Sequence, residues 1–373
     1  MKKITDYSKV FSTIVKRTED YICSNNLRCM VLGISGGIDS TVVAAICHEV
    51  SKRTGVPLIG RSLPTKHNKE GEKSAALMVG KAFCNDFKEV SIKYPYDAYL
   101  DFLEGVDEDI NPIADGNIQA RLRMIYLYNL ASVHRGLVMD TDNLTENNLG
   151  YFTIHGDVGD FNPIGGLWKT EVFELASYIR DHYHFESQVH SNPNLIEEAS
   201  NKAIAIEESL KLKPTAGLGI TDSDLDEIGA DSYEQVDYIL QEILAWKKFK
   251  LKQGFYAFSH EMTCDDFLED QQMLDTPYPI IEAVAKRHFA SSFKRRQLPI
   301  KISRNEIFIT TKRGFGLRFN VAYKFMEDTE FVLRYMSFCK TMESVKKIGY
   351  FYNVPNWSKK YSDIYNYNLP RSL

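Results

Sequence analysis

The stretch that most constrains the fold runs from Arg28 to Lys52. An apolar run (RCMVLGIS) enters a glycine pair and leaves into Ser40–Lys52, where Val42, Val43, Ala45, Ile46 and Val50 suit a helix. The pattern predicts a strand, a tight loop and a helix. Gly36 and Gly37 permit positive φ and close backbone approach. The amides from Gly33 through Ile34, Ser35, Gly36, Gly37 and Ile38 can therefore line one concavity, ahead of a helix whose first N–H groups face an anion. Ser35 and Ser40 add hydroxyls. Asp39 is out of place beside a phosphate unless a hard divalent cation lies between them, which makes it a candidate magnesium ligand. The plain alternative is a turn with Asp39 as a helix cap. Strand, glycine pair, acid and helix occurring together favour the phosphate loop.

The rest of the chain fits an α/β protein. Strands are expected over 57–63, 87–92 and 136–140, alternating with helices over 69–83, 117–132 and 169–179. That alternation predicts a doubly wound parallel sheet of the Rossmann-like kind, with functional loops at the carboxyl ends of its strands. The segment 183–213 is polar and partly helical and reads as an insertion. Residues 1–300 then form the main domain, and 301–373 an aromatic-rich extension of unknown role with strand-like alternation over 306–323. The formal charge of -5 gives no general drive toward nucleic acid, so a polyanion site has to be local. Cys23, Cys29, Cys47, Cys84, Cys264 and Cys339 form no C-x-x-C pair, which argues against a zinc or redox centre. Charges interrupt the apolar residues of the first 26 positions, so an amphipathic helix is expected there rather than a signal or membrane span. A cytoplasmic location is the corresponding expectation.

Further motifs follow in order. They are Gly116-Asn117-Ile118-Gln119-Ala120-Arg121-Leu122-Arg123-Met124; Asp140-Thr141-Asp142-Asn143 with Glu146; Gly156-Asp157; Asn162-Pro163-Ile164-Gly165-Gly166-Leu167-Trp168-Lys169-Thr170; Pro214-Thr215-Ala216; and Phe293-Lys294-Arg295-Arg296-Gln297. The loop itself lacks the lysine-bearing kinase spacing and resembles the S-G-G-x-D-S loop of the ATP pyrophosphatases. Together with the later motifs it resembles the NAD synthetase family, over roughly residues 28–300. The resemblance implies that Asp39 and Glu146 share magnesium, that Thr141, Lys169 and Thr215 contact ATP with the loop, and that Arg121, Asp160, Lys294 and Arg295 contact the deamido dinucleotide. Three positions depart from the pattern. Gly217 replaces an aspartate, Asp160 follows Asp157 one residue early, and Ile154 stands where many ammonia-using relatives carry lysine.

The implied chemistry is adenylation of a nicotinate carboxylate by ATP, followed by displacement of AMP by ammonia. Asp39, Glu146 and Lys169 would stabilise the departing pyrophosphate. Only 27 residues precede the first core strand, too few for an amidase domain, so free ammonia is the expected donor. A two-fold homodimer is implied by the resemblance. The alternatives are a tRNA-modifying ATP pyrophosphatase using the Lys294-Arg295-Arg296 run on RNA, and a nucleotide-binding protein without catalysis.

Overall fold

A computed structural model describes residues 4–65, 68–106, 111–214, 224–252, 262–270, 276–297 and 300–301. The expectations for Thr215, for Gly217 and for the extension 302–373 lie outside the described residues. Contact clustering divides the chain into two units. The first comprises 1–246 and 262–309 and holds every site residue considered below; the second comprises 247–261 and 310–373.

The first unit is built on parallel strands. β1 (Met30–Gly33) pairs with β2 (Leu58–Ser62) and with β4 (Leu137–Val138), and β2 pairs with β3 (Asp86–Glu89), giving the order β3-β2-β1-β4. A parallel bridge from Met139 to Phe161 links β4 to β5 (Phe161–Asn162), which pairs with β6 (Ile300–Lys301). Side chains alternate across β1 because successive Cβ atoms point to opposite faces. Met30 and Leu32 enter one buried cluster with Leu58, while Val31 enters another with Ile59 and Val138. Both faces are therefore covered, as all-parallel sheets require.

On one face lie α1 (Tyr7–Ser24), α2 (Ile38–Thr54), α3 (Glu70–Phe83), α7 (Lys169–Val189) and α8 (Pro193–Lys211); on the other lies α5 (Pro112–His134). The segment that reads as an insertion is the end of α7 followed by α8, and α8 is part of the core. Ala203, Ala205 and Ile206 are buried, and the Ser209 hydroxyl meets that of Thr41 on α2 at 2.8 Å. Its buried apolar residues are mostly alanine (Ala199, Ala203 and Ala205, with Ile206), and the small side chains that let α8 approach α2 and α3 closely also weaken its apolar signal. The helix α4 (Lys93–Gly105), not anticipated, follows β3. The helices α6 (Leu144–Leu149), α9 (Asp224–Ile228), α10 (Tyr233–Lys252), α11 (Cys264–Asp270) and α12 (Tyr278–Ala290) share a separate apolar cluster around Trp168, Ile239, Ile243 and Phe267.

Gly36 is where the loop depends most on glycine. Its φ is +85°, and a Cβ there would sit 2.4 Å from the Glu72 carbonyl oxygen and 2.8 Å from the Ala76 nitrogen, both in α3. Gly36→Ala should therefore destabilise the chain by about 1–3 kcal/mol through a left-handed backbone and a clash with backbone atoms. Urea unfolding measures this; a variant as stable as the parent would show that the loop rearranges freely.

Candidate active site

β1 delivers its carboxyl end into the loop, and α2 leaves it from Ile38. The cap position of α2 is Gly37, whose lack of a side chain leaves the helix start uncapped by any side-chain oxygen. The Ser35 and Ser40 hydroxyls are 3.0 Å apart, and Ser40 Oγ also donates to the Gly37 carbonyl. The result is a concavity of amides and hydroxyls at a helix N-terminus, suited to phosphate oxygens. It opens into a cavity of about 540 Å³ lined by Gly33, Ile34, Ser35, Asp39 and Ser40. Leu63, Arg123 and Met124 line another wall, and Thr141, Asp142, Glu146, Asp157 and Lys294 the rest.

The charged centre is assembled from three elements. Asp39 stands in the first turn of α2. Asn143 caps α6: its Oδ1 accepts from the Glu146 amide at 3.0 Å, and Glu146 Oε2 accepts from the Asn143 amide at 3.1 Å. This capping box fixes the Glu146 rotamer. The Asn143 Nδ2 then donates to Asp39 Oδ1 at 2.9 Å. Lys169, the first residue of α7, closes the set, with its Nζ 2.6 Å from Asp39 Oδ2 and 2.9 Å from Glu146 Oε1.

Lys169 is only 2% exposed, whereas the two carboxylates are 16% and 19% exposed toward the cavity. Burial opposes its charge, but Asp39 and Glu146 outweigh that and hold its pKa well above the ordinary value. Burial and the Asp39 charge push Glu146 up to about 7, against the pull of Lys169. One cation thus faces two acids with an acceptor capacity that a single ammonium does not saturate.

Asp140, Asp142 and Asp157 form a second acidic group, of which Asp142 and Asp157 line the same cavity. Asp140 accepts from the Gly159 amide at 2.8 Å and from Asn162 Nδ2 at 2.6 Å, which pins the loop ahead of β5 to the end of β4. Asp157 accepts from the Thr153 amide at 2.7 Å; it is open to the cavity but walled by protein, and burial pushes it up to about 7. Asp142 is buried and its Oδ2 finds no partner among the described residues; burial, then Asp140, raise its pKa well above the usual carboxylate range.

The anticipated residues separate into two sets. The loop, Asp39, Thr141, Glu146, Lys169 and Lys294 gather at or against the cavity. Arg121, Asp160 and Arg295 do not line it. Arg121 is exposed on α5 and donates from Nε to the Ile154 carbonyl, and Asp160 spends one oxygen on the Val138 amide of β4. Arg295 is turned toward protein, donating to the carbonyls of Asn148 and His288 at 2.9 and 2.7 Å. Lys294 Nζ lies between the carbonyls of Gly150 and Phe152. Among residues that sequence reading left unassigned, Asn143 stands out, and N-x-x-E before an apolar turn was its visible signal. Asn162 carried none, because its amide acts through Asp140 twenty-two positions away.

Because Arg295 braces the carbonyl ends of α6 and α12, Arg295→Ala should cost about 1.5–3 kcal/mol, the range for hydrogen bonds to a charged group. Nucleotide affinity at the loop should stay unchanged. Urea unfolding beside calorimetric ATP titration separates the two effects, and a stable variant with weakened binding would place Arg295 in the site instead.

Comparison with known proteins agrees with this geometry. The family described as NAD synthase matches residues 10–253. The chain is 40% identical over 173 residues to an NH(3)-dependent NAD(+) synthetase of Pyrobaculum aerophilum, covering 46% of this chain and 64% of that protein. To the NH(3)-dependent NAD(+) synthetase of Finegoldia magna it is 33% identical over 236 residues, 63% of this chain and 85% of that protein. Among solved structures, the NMN synthetase of Francisella tularensis superposes with a TM-score of 0.56 at 27% identity, over 78% of this chain and 97% of that one. A match that takes in the phosphate loop, Asp39, Glu146 and Lys169 within one continuous span places this chain in the NAD synthase family.

Proposed function

We propose that the chain is a carbon–nitrogen ligase that amidates deamido-NAD to NAD with ATP and ammonia. The observation that carries this reading is the Asp39–Lys169–Glu146 cluster at the mouth of a phosphate loop, in a cavity that accommodates a nucleotide. The uncapped start of α2, with Ser35 and Ser40, holds the β and γ phosphates of ATP. A nicotinate carboxylate oxygen attacks the α phosphorus, pyrophosphate leaves, and an acyl-adenylate forms. The nitrogen of ammonia then attacks the carbonyl carbon, AMP departs with the bonding pair, and the new amide nitrogen loses a proton.

The family implies magnesium, and the donor set fits it. Asp39 and Glu146 are hard oxygen ligands already held at one cation, and no group of three or more His, Cys, Asp or Glu side chains suited to a metal occurs among the described residues. The remaining ligands would be phosphate oxygens and water, as is usual for magnesium. When bound, the ion neutralises charge that builds on the pyrophosphate. Lys169 adds a second positive charge, and Thr141 lies on the cavity wall for the nucleotide.

Catalysis then rests on positioning and electrostatics, without a covalent enzyme intermediate. Lys294 is the cation lining the cavity that we assign to the dinucleotide. Arg121 and Asp160 stand outside this cavity, and Ile125 and Val133 of the same α5 are exposed. A homodimer formed through this face would bring a second copy to Arg121 and Asp160. No helix among the described residues is long and apolar enough to cross a membrane.

A second reading keeps the chemistry and shortens the substrate to the deamido mononucleotide. It is favoured by the likeness to the Francisella tularensis NMN synthetase, 97% of which is covered. Purified protein incubated with ATP, magnesium and ammonium should amidate one of the two nucleotides with AMP and pyrophosphate released; turnover of the mononucleotide alone selects the second reading. Glutamine should not replace ammonium when free ammonia is removed enzymatically. Asp39→Asn and Glu146→Gln should each lower kcat by about 100-fold or more, in keeping with loss of charge stabilisation in a closed site. Near-normal turnover by both at limiting magnesium would exclude the shared-metal role.

A further inference from the structure

The first residues of α7 present an unusual capping problem. The cap position is Trp168, whose side chain has no oxygen to accept from the exposed amides. Glu171 folds back to the Trp168 amide at 3.0 Å. The next two amides are satisfied from elsewhere in the chain. The Lys169 amide donates to Thr145 Oγ1 on α6 at 2.8 Å, and the Thr170 amide donates to Asp237 Oδ2 on α10 at 3.1 Å.

Asp237 is the hub of this arrangement. It is 2% exposed. Its Oδ1 accepts from the Thr145 hydroxyl, and its Oδ2 also accepts from the Thr170 hydroxyl at 2.8 Å. The Thr145 hydroxyl accepts from the Lys169 amide while donating its own proton to Asp237. One carboxylate thereby joins the second residue of α6 to the second residue of α7, where a negative charge is favoured by both helix dipoles. The neighbouring residues are Glu146 on α6 and Lys169 on α7. One turn earlier on α10, the Tyr233 ring lies 5.6 Å from Lys169 Nζ.

We propose that Asp237 is a positioning residue for the transfer reaction. Through Thr145 and Thr170 it fixes the starts of α6 and α7 against each other, and so sets the spacing between the Glu146 carboxylate and the Lys169 ammonium. The proposal rests on the reading that Lys169 and Glu146 serve ATP. Asp237 lies outside the cavity lining and touches no substrate. Its removal would leave the Thr170 amide and the Thr145 and Thr170 hydroxyls without their shared acceptor and let two groups that must converge on one phosphate chain drift apart. A displacement of about 1 Å in such a group costs about 100-fold in rate.

The test uses the full chain. Asp237→Asn keeps the shape but turns one acceptor into a donor facing Thr145 or Thr170. Expected are a folded protein, a kcat lowered about 10- to 100-fold, and weakened Mn2+ binding in the presence of a non-hydrolysable ATP analogue, read by electron paramagnetic resonance. The KM for ammonium should not move. In a Glu146→Gln background, where the aligned partner is already lost, the same substitution should lower kcat by less than about 3-fold, since coupled residues are not additive. Losses that multiply in the double variant, or a folded single variant with unchanged kcat and Mn2+ binding, would overturn the proposal.

If Asp237→Asn does not fold, Thr170→Val and Thr170→Ser decide. The valine variant should lose activity and metal binding and the serine variant should restore both, whereas equal behaviour of the two removes the hydroxyl bridge from the argument. Full activity of Glu146→Gln alone would instead defeat the assignment of Glu146, independently of Asp237.

Discussion

A buried ammonium between two carboxylates is the interaction on which the site depends. Lys169 gives up hydration almost entirely, and at that depth an unpaired charge would cost several kcal/mol. Asp39 and Glu146 offset that cost, yet two acids and one lysine leave a residual negative charge facing the cavity. The imbalance serves the chemistry. On the proposed reading, a divalent ion would complete this centre and lessen its repulsion of phosphate oxygens. Burial first, and then the Asp39 charge, raise the Glu146 pKa.

Holding those three groups together explains much of the surrounding architecture. Asp39 is placed by the strand-to-helix turn that only a glycine at position 36 allows, because α3 backbone passes close behind it. Glu146 is placed by the capping box of a six-residue helix, too short to be stable alone and therefore tied down at both ends. At its start Thr145 meets Asp237; at its end the Asn148 carbonyl accepts from Arg295, and His288 Nδ1 lies at 3.1 Å. Lys169 is placed by α7, whose start borrows its caps from α6 and α10. The basic residues that look like substrate ligands in sequence divide accordingly, with Lys294 kept at the cavity and Arg295 committed to helix ends.

What the residues disclosed in advance was mostly local. The phosphate loop follows from the order strand, glycines, acid and helix within about a dozen positions, whereas the N-x-x-E capping signal at Asn143–Glu146 was present but left unread. The parallel sheet was legible from the alternation of strand and helix patterns along the chain. By contrast α8 reads as an insertion, since alanine gives a weak apolar signal while still allowing close helix approach. The boundaries of β3 and β4 were overextended, because apolar residues continue past the strands: Val90 and Ile92 lie beyond β3, and Met139, beyond β4, bridges to Phe161.

By itself, then, the sequence determined the phosphate loop and the α/β class, because these depend on short-range backbone preferences, while Glu146 and Lys169 were pointed to by the motifs it shares with a family. Only the tertiary structure decided that Lys169 meets Asp39 across 130 positions and that Asp237 reaches Thr145 across 92. It also decided that Arg121, Asp160 and Arg295 stand apart from the cavity. The physical reason is that such meetings are fixed by strand order and helix packing. A side chain's partners there come from elements far apart along the chain, and neither periodicity nor spacing records which of them will be adjacent.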